Sequence, residues 1–133
     1  MPKSSGLSHV AMSVPNGTLT DSYRSELLAF YGEHFGWREM ESLRLPDRLT
    51  IAVGGGNYVN VRERTEPMVS DGYEHFGLLL RSPEDVEEVW TALDGDARDV
   101  QVEPLDRGED GYRTFRFRYL LPLTVEVQFL PPR

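Results

Sequence analysis

Hydrophobic and polar residues alternate along short stretches of this chain, and two longer stretches with helix-spaced apolar residues lie between them. Alternation with period two is typical of β-strands that bury one face, whereas apolar residues three and four positions apart indicate a helix. The pattern predicts helices over 20–35 and from Ser82 to about Gly95, with Thr20 or Asp21 and Ser82 as N-caps. Strands are predicted at 8–14, 37–43, 48–53, 58–63, 75–81, 100–104, 112–119 and 123–129.

The two halves of the chain follow the same order of elements, one β-α-β-β-β unit each. His75 follows His9 by 66 positions, and Glu126 follows Asn60 by the same interval. Because a half of about 66 residues is marginal as an independent domain, we expect a single domain over residues 1–133. Its predicted parts are module 1 (7–63), a connector (64–73) and module 2 (74–130). The apolar residues that match at this offset are Val10, Met12 and Val14 with Phe76, Leu78 and Leu80; Leu49, Ile51 and Val53 with Phe115, Phe117 and Tyr119; and Val59 and Val61 with Val125 and Val127.

The composition limits the possible functions. The chain has 133 residues, no cysteine and a net charge of −8. This charge argues against a nucleic-acid surface, which needs a positive face, and no apolar run reaches the ~20 residues that span a bilayer. Without cysteine, the side chains that can bind a metal are histidine, aspartate, glutamate and asparagine. The N-terminal residues lack a signal-peptide pattern, so we expect a cytoplasmic protein that acts on a small molecule.

Strand alternation places the polar candidates on one face of the predicted sheet. If the apolar residues of 8–14 face the helix, His9 faces the opposite side, and the same rule applies to the other strands. The imidazoles of His9 and His75 and the carboxylate of Glu126 suit a divalent first-row cation that keeps coordination positions open for water or substrate. Alternatively, the histidines are half-buried structural residues and Glu126 forms a salt bridge with Arg116 or Arg118. The residues predicted on this face are His9, Ala11, Ser13, Thr50, Ala52, Tyr58, Asn60, Arg62, His75, Gly77, Leu79, Thr114, Arg116, Arg118, Thr124, Glu126 and Gln128.

Three local strings resemble the vicinal oxygen chelate superfamily, which includes glyoxalase I, methylmalonyl-CoA epimerase, extradiol dioxygenases, and fosfomycin- and bleomycin-resistance proteins. They are LSHVAMSVPN at 7–16, FYGEHFGW at 30–37 and VEV at 125–127. The resemblance implies an α+β fold, in which two tandem β-α-β-β-β modules form a cup-shaped, mixed eight-stranded sheet with the helices on the outside. It also implies metal ligands on the first and last strands of each module. These are His9, Asn60, His75 and Glu126, where Asn60 replaces the usual Glu or Gln and either binds the metal weakly or only orients a water.

The same resemblance implies a metal-dependent, glyoxalase-like enzyme of lyase, isomerase or epimerase, or oxygenase type. A small, oxygen-rich substrate would chelate a divalent ion (Ni, Zn, Co, Mn or Fe), and Glu126 would be both metal ligand and catalytic base. Arg116 and Arg118 are expected to bind an anionic group of the substrate. Tyr58 and Arg62 are further substrate-binding candidates on this face, and a homodimer is implied by the resemblance.

Two features of the sequence bear on the choice of function. Asn60 in place of a second carboxylate argues against glutathione-linked isomerisation, which moves a proton between two opposed groups. The extradiol dioxygenases take a metal ligand from the penultimate strand, and the strand at 112–119 has no histidine. The alternative function is a metal-free binding protein similar to the bleomycin-resistance members, which sequester an antibiotic. The acidic charge suits a cationic drug, whereas the arginines on the cleft face would repel it.

Overall fold

A four-stranded sheet and one α-helix form the first unit of the chain, Met1–Val69. The computed structural model describes residues 1–132. In chain order this unit contains β1 (His9–Pro15), α1 (Asp21–Phe35), β2 (Arg38–Glu39), β3 (Arg48–Gly54) and β4 (Asn57–Arg64). The strand order is β1-β4-β3-β2, with β1 parallel to β4 and the other neighbours antiparallel.

The second unit begins at Ser70 and has a five-stranded sheet and one α-helix. It contains β5 (His75–Leu79), α2 (Pro83–Asp94), β6 (Gln101–Val102), β7 (Asp106–Arg107), β8 (Arg113–Arg118) and β9 (Thr124–Phe129). The strand order is β5-β9-β8-β6, with β5 parallel to β9 and β7 also paired with β8. The predicted α+β class, with one helix and one mixed sheet per unit, is confirmed.

The strand pairing repeats at the 66-residue offset. In the first unit, Asn60 of β4 lies opposite Ala11 of β1 and Thr50 of β3. In the second unit, Glu126 of β9 lies opposite Gly77 of β5 and Arg116 of β8, which follow Ala11 and Thr50 by 66 positions. The strands within each unit are therefore paired in the same register, which a coincidence of composition would not produce.

Alternate residues are buried on β1, β4 and β8, as the period-two pattern predicts, whereas β5 has no fully buried residue. The helices add Leu27, Phe30 and Tyr31 of α1 and Val86 and Leu93 of α2. The polar residues between the buried positions consequently lie on the opposite face of each sheet. The buried apolar strand residues are Met12, Val14, Leu49, Ile51, Val59 and Val61 in the first unit, and Phe115, Phe117, Val125 and Val127 in the second.

Both helices begin where the sequence predicts. The Thr20 hydroxyl accepts a hydrogen bond from the Tyr23 N–H, and the Ser82 hydroxyl accepts one from the Asp85 N–H, each at 3.1 Å. Gly36 ends α1 with a positive φ of 71°, a conformation that favours glycine. Within residues 1–132, neither helix combines the length and apolar character needed to cross a membrane.

The predicted strand at 37–43 is wrong over most of its length. Only Arg38–Glu39 pairs with β3, and Glu41–Leu43 forms a 3-10 turn. The Met40 N–H still donates to the Thr50 carbonyl at 2.8 Å. Beyond that point the backbone N–H groups donate to carbonyls three residues earlier, so the ladder with β3 ends.

The predicted strand at 100–104 is also shorter than expected. Pro104 has no N–H to donate, and the Glu103 carbonyl accepts a hydrogen bond from the Trp90 indole at 3.0 Å. Pairing with β8 stops there and resumes at Asp106–Arg107. The described residues therefore form nine strands in place of the eight expected.

Candidate functional site

Both ring nitrogens of His75, the first residue of β5, lie close to an oxygen atom. Its Nδ1 lies 2.6 Å from the carbonyl oxygen of Tyr73, and its Nε2 lies 3.1 Å from Oε1 of Glu126. The side chain is 26% exposed, which leaves it accessible to a ligand. The strand pairing places the two residues together, because β5 runs parallel to β9 with Gly77 opposite Glu126.

Glu126 occupies the middle of β9 between the buried residues Val125 and Val127. Its side chain is only 15% exposed and has a different partner at each oxygen. Oε2 accepts a short hydrogen bond from the Thr114 hydroxyl, while Oε1 faces His75, with Nε of Arg116 3.8 Å away. The expected salt bridge with Arg116 is thus present only as a long contact.

The two contacts of the His75 ring show that the His75 and Glu126 pair needs a positive charge. A carbonyl oxygen can only accept, so Nδ1 carries the hydrogen that is shared with Tyr73. In a neutral ring Nε2 is then a lone pair, and it points at a carboxylate oxygen that is also an acceptor. Two acceptors at 3.1 Å require a positive charge between or upon them, either a proton on Nε2 or a metal cation bound by both groups. This donor set therefore fits a divalent cation.

The corresponding face of the first unit carries His9, Tyr58 and Asn60. Nδ1 of His9 lies 2.7 Å from the Ser8 hydroxyl, and its ring stacks on Tyr58 with centroids 4.6 Å apart and planes inclined by 2°. These contacts fix the ring and leave Nε2 available as a ligand atom. Oδ1 of Asn60 is buried without a hydrogen-bond partner in the described chain, which is costly unless a ligand or water satisfies it.

The three arginines predicted to bind substrate differ in their exposure and in their contacts. In the second unit, Arg118 donates from Nη2 to the Pro122 carbonyl at 2.9 Å. In the first unit, Arg62 is exposed and lies 3.8 Å from Asp47. Arg116 is half-buried beside Glu126, and only its Nε makes the long contact described above. Arg116 is therefore the arginine that the second unit places next to the His75 and Glu126 pair.

Thr114 is the contact that sequence reasoning did not assign. The position of Thr114 on the same face as Glu126 follows from strand alternation. The sequence does not indicate that its hydroxyl bonds to the Glu126 carboxylate. Among residues 1–132, no three His, Cys, Asp or Glu side chains lie close enough to hold a metal ion by themselves. The second unit supplies two such groups, His75 and Glu126.

Two β-α-β-β-β units with the same strand register give this chain the fold of solved glyoxalase-type structures. The chain is similar to the fosfomycin resistance protein FosX from Listeria monocytogenes, with a TM-score of 0.68, 19% identity and coverage of 96% of this chain and 95% of that one. It is similar to lactoylglutathione lyase from Agrobacterium tumefaciens, with a TM-score of 0.67, 20% identity and coverage of 96% and 95%. A glyoxalase/bleomycin resistance protein/dioxygenase family enzyme from Burkholderia phytofirmans PsJN gives 0.67, 14% identity and coverage of 92% and 96%.

These similarities lie in the fold, since the identities are low. No protein-family profile matches the sequence, and no curated protein is significantly similar to it. The resemblance drawn from the local strings is confirmed at the level of the fold, while the ligands and the reaction require their own argument.

Proposed function

We propose that this protein is a metal-dependent, glyoxalase-like enzyme that acts on a small, oxygen-rich substrate. His75 and Glu126 of the second unit hold the divalent cation, and His9 and, more weakly, Asn60 stay candidate ligands, as the family resemblance implies. One structural neighbour, FosX, has been solved in complex with Mn(II) and sulfate, which supports a metal-based activity for this fold. We also propose a cytoplasmic location, as expected from the sequence, and a homodimer, as the family resemblance implies.

The single observation that carries this proposal is the arrangement of His75. The carbonyl of Tyr73 fixes the Nδ1–H tautomer, so Nε2 presents its lone pair to the same point as Oε1 of Glu126. A carbonyl behind a ligating imidazole is the usual support of a metal-binding histidine.

The cation would polarise a substrate oxygen and stabilise negative charge that develops on it. The residues around it provide orientation and charge. Glu126, pinned by Thr114, keeps a carboxylate oxygen on the open side of the sheet, where it can accept a substrate proton. Arg116 offers a guanidinium next to this carboxylate for an anionic group of the substrate. Arg118, Tyr58 and Arg62 are further substrate-binding candidates.

Metal titration of tag-free protein, freed of metal by chelation, tests the proposal. Mn²⁺, Zn²⁺, Ni²⁺, Co²⁺ and Fe²⁺ are added separately, and binding is followed by calorimetry and by metal content after gel filtration. We expect one ion per chain for at least one of these metals. His75→Ala should weaken that binding by at least about 100-fold, because a ligand is lost and not merely its support.

His34→Ala is the matched control. His34 lies in the last turn of α1, with its ring 4.8 Å from that of Phe30, and takes no part in the His75 pair. This variant should bind metal as the unmodified chain does. Failure of every metal to bind stoichiometrically would overturn the enzyme proposal and favour a metal-free binding protein.

A further inference from the structure

The two oxygens of Glu126 have separate partners, and this separation assigns a role to Thr114. We propose that Thr114 is a positioning residue that ties Oε2 of Glu126 to the sheet and so leaves Oε1 alone as the metal ligand. The inference rests on the proposed function and adds a residue and a coordination mode to it. Thr114 itself touches neither the metal nor the substrate.

Strand geometry makes Thr114 suitable for this role. It lies on β8 opposite Gln128, two residues from Arg116, which is directly opposite Glu126. Thr114 is therefore the diagonal neighbour of Glu126 on the same face, within reach of a long side chain. Because a carboxylate can only accept, the hydroxyl donates to Oε2. The β-branched side chain of threonine is stiff at χ1, so the donor is held in place by its own rotamer.

The hydroxyl restricts a side chain that would otherwise be mobile. A free glutamate loses rotamer entropy when it is fixed in one geometry. The hydrogen bond to Thr114 fixes Glu126 before any ion arrives, with Oε1 already turned toward Nε2 of His75. Metal binding then costs less ordering, which is how supporting hydrogen bonds raise metal affinity.

The first unit shows what the same position looks like without a carboxylate to support. The residue 66 positions before Thr114 is Arg48, whose Nη2 donates to the Leu43 carbonyl at 2.8 Å. The residue 66 positions before Glu126 is Asn60, whose Oδ1 is buried without a partner in the described chain. The hydroxyl and the carboxylate thus occur together in one unit and are absent together from the equivalent positions of the other.

Two substitutions at Thr114 test this role. Thr114→Val keeps the shape and removes the donor, whereas Thr114→Ser keeps the donor and removes a methyl group. The readout is the Kd of the chelator-treated protein for Mn²⁺, with the melting temperature of the metal-free form as a check on folding. We expect Thr114→Val to bind Mn²⁺ about 10–100-fold more weakly, and Thr114→Ser to remain close to the unmodified chain.

The outcomes separate this inference from the proposed function. If the unmodified chain binds Mn²⁺ and Thr114→Val binds it equally well, the positioning role is overturned and the metal site stands. An equal loss in both variants also overturns the role, because the loss would then follow packing and not the hydroxyl. If the unmodified chain takes up no Mn²⁺, both the positioning role and the Mn²⁺ site are overturned.

Discussion

Replacing Arg24 with methionine is expected to lower the free energy of unfolding by about 3–5 kcal/mol. Arg24 lies within α1 and is only 6% exposed, yet it carries a charge. Its guanidinium donates hydrogen bonds to four backbone carbonyls, those of Leu19, Leu45, Pro46 and Arg48, at 2.8–3.3 Å. Methionine fills a similar volume but donates to none of them, so four carbonyls lose a charged donor at once, and those of Leu45 and Arg48 keep a backbone N–H.

Urea unfolding followed by circular dichroism measures this effect. Since a domain of this size has about 5–15 kcal/mol of stability, the midpoint should fall by a large fraction of its value. Arg38→Met is the matched control, because Arg38 is exposed on β2 and should change stability by about 0.5 kcal/mol or less. A loss below 1 kcal/mol in Arg24→Met would mean that water satisfies the four carbonyls.

Glu39 makes the region around Arg24 sensitive to acid as well. Its side chain is 6% exposed, and the hydrogen bond from Arg44 is the largest influence that holds its pKa below the usual range. A carboxyl group whose pKa is lowered in the folded state adds stability above its unfolded pKa, and this contribution is lost as the pH falls through the folded value. Glu39 and Arg24 together fix the segment that leads from α1 into β3.

The sequence predicted the sheets well because their information is local and repeated. Period-two burial and the two helix caps were readable from adjacent residues, and the equivalent positions of the two units followed from the 66-residue offset. Arg24 was not predicted. The signal was a charged residue three and seven positions before Leu27 and Tyr31, on the buried face of α1, but its partners are carbonyls of a distant irregular loop, which no periodicity encodes.

The sequence likewise predicted which site residues share a face, but not the contacts that they make. Strand alternation was sufficient to put His75, Glu126 and Thr114 on one face, since side chains alternate regularly along a strand. It was not sufficient to show which oxygen of Glu126 each neighbour contacts, because that depends on rotamers. The tautomer of His75 was equally hidden, since it is set by the carbonyl of Tyr73, an exposed residue in the preceding loop.

Replacing Glu126 with glutamine is expected to abolish stabilisation by metal and to leave the metal-free fold as stable as before, or more so. In the unmodified chain, Nε2 of His75 and Oε1 of Glu126 are both acceptors and need a cation or a proton. A glutamine amide can donate its N–H to Nε2 of His75 while its oxygen accepts from Thr114, so every group is paired without added charge. The carboxylate is therefore kept for binding and not for folding, in the manner of active-site residues that reduce stability.

Thermal unfolding with and without Mn²⁺ distinguishes the two effects. At an Mn²⁺ concentration 100 times its Kd, the unmodified chain should gain about 2.7 kcal/mol of stability, and Glu126→Gln should gain none. Glu88→Gln, at an exposed position of α2, should respond to Mn²⁺ as the unmodified chain does. Equal stabilisation of Glu126→Gln by Mn²⁺ would remove Glu126 from the ligand set. A metal-free Glu126→Gln that melts well below the unmodified chain would show instead that the carboxylate supports the fold, through a charged pair with His75.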